Sequence, residues 1–459
     1  MDQGQLGSFG DRRLAEVGDA LLAAMHQKRS MCLRALADDR NQELQFSRFL
    51  DNGAVSRHEI LVATGRRTAE RAAGRHVLVL ADTSECNYAG HTGSKRGFGT
   101  VGNGKDIGVF VHPLVAVDAE QGGVIGLVGA EVINRTEGNA EDHKTRPADE
   151  KESRRWLAGA ETAGEVLAHA AMITGVEDRE GDIYDQFARR PDNVHLLVRA
   201  AQNRSVGGGE RLFERGARWR EAGRYSIQVP AKRGLYKQRT AKVSVRFGEV
   251  TVRRPAGADK ALPAQLTLRV VDVREDNPPQ DPKQRVHWCL LTTHAVGSPD
   301  VAMQIVGWYK MRWLIEQVFR TMKTDGVNVE TSQITTPAAL LKLVTIALVA
   351  AVRVVQLVVG RNANTDQALT DVADPRDMAA LQAICTSLEG RTEKLKNPHD
   401  PTTLAWYHWI AARLGGWSGY TSKGYSPAGP KTIARGLKRL DAMVEGWRLA
   451  NHSADVRLG

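Results

Sequence analysis

The chain is short of cysteine, has no apolar leader and contains no hydrophobic run of membrane length. Each shortfall excludes something. Cys32, Cys86, Cys289 and Cys385 are the only cysteines in 459 residues, and their spacing is neither zinc-like nor redox-like. That excludes a disulfide framework and points to core thiols in a reducing cytosol. The opening MDQGQLGSFGDRR lacks the apolar segment of a secretory signal. The longest apolar run, Leu343 to Val352, holds about ten residues between Lys342 and Arg353, too few to span a bilayer and suited to a buried helix. There is no internal repeat and no low-complexity tract. The expectation is a cytoplasmic protein with no membrane partner, large enough for more than one domain.

Charge is unevenly spread. The chain carries 63 Lys/Arg against 53 Asp/Glu, a net +10. Arg204 to Lys260 alone has 15 Lys/Arg and 5 Asp/Glu, so this segment holds the whole excess. Such concentration points to a local polyanion-binding surface, with a merely soluble basic surface as the alternative.

Taken in order, residues 9–62 have helical periodicity. Gly10-Asp11 is placed to cap a helix carrying Leu14, Val17, Leu21 and Leu22, and Phe46, Phe49 and Leu50 mark a second segment. Arg12 and Arg13 stand at the helix start, as phosphate contacts or as plain surface charge. From His76 the pattern changes to a short apolar run, HVLVLAD, which predicts a buried strand delivering Asp82 at its end. Gly97 to Gly102 matches GxGxxG, and Gly99 to Lys105 approaches a phosphate loop, but a strand pattern follows instead of a helix. Both are chance matches. Ile107 to Val117 and Gly123 to Asn134 predict strands, and Asp149 to Met172 a helix with Trp156, Leu157 and Ala160 on one face.

A second apolar approach ends in Glu177-Asp178, and a helix with Ile183, Tyr184 and Phe187 starts near Asp182. Val194 to Val198 predicts a strand ending at Arg199. Residues 203–298 suggest an inserted β module, turned at Gly248, in which Val243, Val245 and Phe247 alternate with Lys242, Ser244 and Arg246. Trp288 falls in its last strand, as a core residue or as a stacking platform for an unpaired base. Pro337 to Gly360 is the long apolar helix expected to back the sheet. Residues 361–400 are loop-like, and 402–414 and 430–449 helical, with Trp406, Trp409, Trp417 and Trp447 expected in a core or, as the alternative, on a partner-contact surface. The predicted class is α/β, a mixed sheet flanked by helices.

The densest chemistry lies in YKMRWLIEQVFRTMK, Tyr309 to Lys323. Wound as one helix, Tyr309, Arg312, Glu316 and Lys323 fall within about 60° of arc, beside an apolar stripe of Met311, Ile315, Val318 and Met322. This face suits a metal-binding acid set beside a phosphate backbone; a solvated face with an Arg–Glu pair is the alternative. Asp82, Asp178 and Glu316 together offer three carboxylates, the hard oxygen donors that two Mg²⁺ ions need for phosphodiester displacement.

These residues resemble the DDE transposases of the IS-four group. Their signature, Tyr-x-x-Arg-x-x-x-Glu-x-x-x-x-x-x-Lys, stands ungapped at Tyr309, Arg312, Glu316 and Lys323. Asp82-Thr83-Ser84 is similar to the first-acid motif. Asp178 to Asp182 is similar to the second, with Gly181 where the compared family member has Ala. Similarity extends to Asp149–Leu157, the Asn277-Pro278-Pro279 turn and Ala411–Gly416.

The resemblance implies a ribonuclease-H-like core at 71–365 with a β insertion at about 203–298, an N-terminal helical domain at 1–70 that binds transposon ends, and a C-terminal helical dimerisation domain at 366–459. It implies Asp82, Asp178 and Glu316 as ligands of two Mg²⁺, with Mn²⁺ able to substitute. Tyr309, Arg312 and Lys323 would hold phosphates, Trp288 would stack on a flipped base, and Arg199 would contact phosphate. Arg320 replaces a lysine, and Glu16 replaces a basic residue, so end recognition is expected to differ. The partners implied are double-stranded DNA, as transposon ends and target, and a second copy in a homodimer, acting on the nucleoid of a bacterial cytoplasm. A nuclease that cuts without joining and a non-catalytic DNA-binding protein are the rivals.

Overall fold

The computed structural model describes residues 6–91, 95–102, 104–135, 154–229, 237–323, 327–359, 368–418 and 428–455. Its strands are β1 (His76–Ala81), β2 (Ser84–Asn87), β3 (Gly108–Asp118), β4 (Val124–Ile133), β5 (Met172–Glu177), β6 (Val194–Arg199), β7 (Glu221–Val229), β8 (Arg239–Arg253), β9 (Gln265–Glu275) and β10 (His287–Thr292). Its helices are α1 (Arg12–Lys28), α2 (Leu33–Leu36), α3 (Arg40–Asp51), α4 (Arg57–Ala72), α5 (Arg154–Val166), α6 (Tyr184–Arg189), α7 (Leu212–Arg218), α8 (Pro299–Met311), α9 (Trp313–Lys323), α10 (Pro337–Val359), α11 (Met378–Leu388), α12 (Leu404–Leu414) and α13 (Pro430–Asp455). The protein is mixed α/β. It divides into two compact units, one of Met1–Arg75, Thr83–Glu141 and Leu314–Gly459, the other of His76–Asp82 and Asp142–Trp313.

The first unit is organised on α10. This helix runs 23 residues, longer than the apolar run alone suggests and long enough to cross a membrane, but 72% of its most apolar window is buried. Its buried Leu, Ile and Val side chains each contribute about 1.5–3 kcal/mol. Its polar residues tie down the neighbours. Lys342 Nζ donates to the carbonyls of Leu50 and Asn52, both at 2.8 Å, closing the end of α3. Gln356 reaches the Ile125 carbonyl of β4 at 2.9 Å, and Arg353 the Val372 carbonyl at 3.0 Å. At the N-terminus Asp11 caps α1 by accepting from the Arg13 amide, as its position predicts. Strand β3 pairs antiparallel with both β2 and β4.

The C-terminal part of this unit has a core of its own around Trp406, Tyr407, Trp409 and Ile410, packed on α11 and α13. Two expectations fail here. Residues 378–388 form a helix where a loop was expected, because Leu381, Ile384 and Cys385 recur at helical spacing and are buried. Trp447 is 42% exposed, so for this residue the core expectation fails and only the surface alternative stands, since α13 continues past its buried residues Ile433, Leu437 and Leu440.

In the second unit the strand order is β1-β5-β6-β10-β9-β8-β7. β1, β5 and β6 are parallel, and each further neighbour is antiparallel. β1 reads HVLVLA, with five of its six residues buried, as a parallel strand covered on both faces requires. The expected β module is present, but it prolongs this sheet rather than forming a separate one. Gly248 does not turn the chain. β8 runs straight through it, and its missing side chain admits the Trp219 ring, which a Cβ would strike. The alternation on β8 is partial: Lys242 is exposed, but Ser244 is buried and Arg246 half-buried. The helix expected over 149–172 is shorter. α5 ends at Val166 and Met172 already belongs to β5, while Asp149–Ser153 lie outside the described residues.

Buried histidines give the fold an acid limit. Burial pulls His26 of the first unit down to about 3, with the Arg353 charge adding to the effect, from an ordinary 6.5. The folded protein holds this imidazole neutral while the unfolded chain protonates it below about 6.5, so stability must fall as pH drops from there toward 3. Thermal melts of the wild type and His26→Leu between pH 7 and 4 should converge less steeply in the variant. Equal slopes would remove His26 from the account.

Candidate active site

The register of one strand pair builds the site. β1 lies parallel on β5 with Ala81 opposite Glu177, so the next residue on each strand, Asp82 and Asp178, leaves the sheet side by side. Glu177 is in turn opposite Val198 of β6, which sets Arg199 beside Asp178. All three stand at the carboxyl ends of parallel strands, where open α/β sheets present ligand sites.

Each acid is already met by a donor. Arg312 Nη1 donates to Asp82 Oδ2 at 2.8 Å. The Tyr309 hydroxyl donates to Asp178 Oδ1 at 3.4 Å, and Arg199 Nη1 lies 3.9 Å from the same oxygen. Burial, followed by the negative charge of Asp178, pushes the Tyr309 phenol up to about 12, so it remains a donor at neutral pH. Trp288, near the start of β10, packs its ring 5.5 Å from that of Tyr309 at 59°. Arg199 is steadied by a bond from Nη2 to the His287 carbonyl at 3.0 Å. Asp82, Asp178, Arg199, Trp288, Tyr309 and Arg312 therefore come together within the second unit.

The stretch Tyr309–Lys323 is not one helix. α8 ends at Met311 and α9 begins at Trp313, because the Arg312 amide bonds to the Tyr309 carbonyl at 3.1 Å, a tightened turn in place of the α-helical step. Glu316, Arg320 and Lys323 belong to α9 in the first unit. Its buried face is Leu314, Ile315, Val318, Thr321 and Met322, close to the predicted stripe, while Glu316 and Arg320 are exposed. Lys323 Nζ lies 4.0 Å from Glu330, whose carboxylate also accepts from the Asn87 amide at 3.0 Å. Arg12 and Arg13 are exposed at the start of α1, with Arg12 Nε 2.8 Å from Glu16.

Two carboxylates on adjacent strand ends are the donor chemistry a hard divalent cation requires, and their neighbours are cations and a phenol suited to phosphate. Among the described residues, no group of three or more acidic, histidine or cysteine side chains is arranged to hold a metal ion. No protein-family model matches the chain.

Residues beyond the predicted set shape the second-acid loop. Glu177 is buried, and burial pushes its carboxyl up to about 8, with Gln186 Nε2 donating to Oε1 at 2.6 Å. Near neutrality it is protonated, and Gly181 makes room for it, since a Cβ there would collide with the carboxyl group. Asp182 accepts from the Ala201 amide at 2.8 Å and pairs with Arg204, so this acid fixes the loop after β6. An acid in the last, fully covered position of a strand was the available signal for Glu177; its dependence on Gly181 is visible only in three dimensions.

Gly181→Ala should destabilise the protein by about 1–3 kcal/mol through overpacking against Glu177. Urea denaturation checks this, and a Glu177→Ala background should remove most of the loss. An unchanged midpoint in Gly181→Ala would mean the Glu177 side chain has another place to go.

Proposed function

We propose that the protein is a cut-and-paste DNA transposase with a ribonuclease-H-like core, acting as a homodimer on transposon ends in the bacterial cytoplasm. The observation that carries the reading is the side-by-side exit of Asp82 and Asp178 from parallel strands, among Arg199, Tyr309, Arg312 and Trp288. The ungapped Tyr309, Arg312, Glu316 and Lys323 signature supports it from the sequence.

In this reading Asp82, Asp178 and Glu316 hold two Mg²⁺, with Mn²⁺ as a substitute. Held by these residues, the ions would supply Lewis-acid activation of a water or 3′-hydroxyl and charge stabilisation at the leaving oxygen. The chain's own residues do the remaining work. Arg312, Lys323 and the Tyr309 hydroxyl hold phosphates of the transposon strand, with Arg199 and Arg320 adding charge. Trp288 offers its ring to an unstacked base, so that the freed 3′-hydroxyl can attack the opposite strand's phosphodiester, closing a hairpin and releasing the flanking strand's 3′-hydroxyl. The hairpin is then opened and the 3′-end joined to target DNA. The basic stretch Arg204–Lys260 supplies sequence-independent affinity for the duplex. Arg12 and Arg13 are candidate contacts to the terminal repeats.

A non-catalytic DNA-binding protein is the second reading, favoured by Arg312 lying on Asp82. Wild-type protein that binds ends but never cleaves with Mg²⁺ or Mn²⁺ would establish it.

The test is Mg²⁺-dependent cleavage of DNA carrying the inverted repeats that flank this reading frame, followed by strand transfer from precut ends. Asp82→Ala, Asp178→Ala and Glu316→Ala should each lower cleavage by about a thousandfold or more, equivalent to about 4 kcal/mol of transition-state stabilisation. Full cleavage by all three would overturn the ligand assignment. Trp288→Ala should lower hairpin yield about tenfold more than it lowers nicking, the size of one lost base stack. Equal losses in both steps would refute the stacking role.

A further inference from the structure

Two of the residues that face DNA in this reading, Arg312 and Arg199, are charged neighbours of the acids in the DNA-free protein. Arg312 lies 2.8 Å from Asp82, with side chains 14% and 24% exposed. Asp178 has the neutral Tyr309 hydroxyl at 3.4 Å and Arg199 at 3.9 Å. Arg199 is tied to the His287 carbonyl of β10, whereas Arg312, in charged contact with Asp82, sits at the turn between α8 and α9. Two carboxylates leaving neighbouring strand ends repel each other. A guanidinium on one of them offsets that repulsion. While Nη1 is engaged on Asp82, that donor and much of the guanidinium's charge are withheld from a phosphate.

We propose that Arg312 is an exchangeable occupant of the metal site. It neutralises Asp82 while DNA and divalent cation are absent, and it transfers to a DNA phosphate when the cation takes its place on the carboxylate. This rests on the assignment of Asp82 and Asp178 as metal ligands. The exchange makes cation and DNA binding mutually reinforcing: a phosphate that draws Arg312 away from Asp82 raises cation affinity, and the cation raises DNA affinity by the same factor. The acids are thus kept in an ion pair until a phosphate backbone is at hand.

The experiment is Mn²⁺ titration of the full-length, DNA-free protein, followed by calorimetry and by paramagnetic resonance of free Mn²⁺. Arg312→Gln should bind Mn²⁺ about tenfold more tightly than wild type, because the competing cation is gone. Tyr309→Phe removes only a neutral donor and should change affinity less than about twofold, within the range of one weak hydrogen bond. Fluorescence anisotropy with a short duplex supplies the second readout. Mn²⁺ should strengthen duplex binding by wild type and leave binding by Arg312→Gln unchanged. Simple charge repulsion would tighten Mn²⁺ binding yet preserve the Mn²⁺ dependence of duplex binding, and that result overturns the exchange. So does Mn²⁺ affinity in Arg312→Gln equal to or weaker than wild type. If Arg312→Gln fails to fold, Arg312→Lys is read instead, with tightening expected because an ammonium lacks the planar fork; no tightening overturns the proposal. Wild-type protein that takes up no Mn²⁺ at millimolar concentration removes the ligand assignment itself.

Discussion

The parallel pairing of β1 with β5 is the constraint on which the site depends. With Ala81 opposite Glu177, two aspartates must emerge as neighbours, and a shift of one residue would turn one of them to the other face of the sheet. Apolar strand interiors fix that register: Val77 to Leu80 in β1 and Ile173 to Val176 in β5 are buried on both sides. The core therefore bears the electrostatic cost of two adjoining negative charges, and everything around them answers it. Arg312, Arg199 and Tyr309 come from a helix turn, a strand end and a helix; the first meets Asp82 and the other two meet Asp178.

A third acid behaves differently because its surroundings do. Glu177 precedes Asp178 by one residue and so points away from the open strand end into the packed layer. There it is held neutral, with Gln186 as partner and Gly181 as the gap it fills. The loop that carries Asp178 is pinned a second time at Asp182, through Arg204 and the Ala201 amide.

Much of this was legible in the sequence where hydrophobic period and chain direction decide the outcome. HVLVLA and its acidic terminus, the strand ending at Arg199, the Asp11 cap and the long apolar α10 all follow from local pattern. The failures share a cause, which is packing between distant segments. Nothing near Arg312 breaks a helix, since the stretch has no proline or glycine, and yet the turn tightens there. Gly248 looked like a turn because its partner, Trp219, is remote in sequence. The paired network at Asp82 and Asp178 could be foreseen as a set of residue types. Which donor met which acid could not, because that depends on the register of strands about a hundred residues apart.

β10 lies between β6 and β9, bonded to both. The basic segment is therefore not a cassette that can be excised or transplanted. Cutting the chain after β6 and rejoining it before β10 would strip one flank of the central layer and leave a row of unpaired amides and carbonyls open to another molecule. Lineages that shorten this region would have to cap that margin with a substitute strand, a helix or a row of charge.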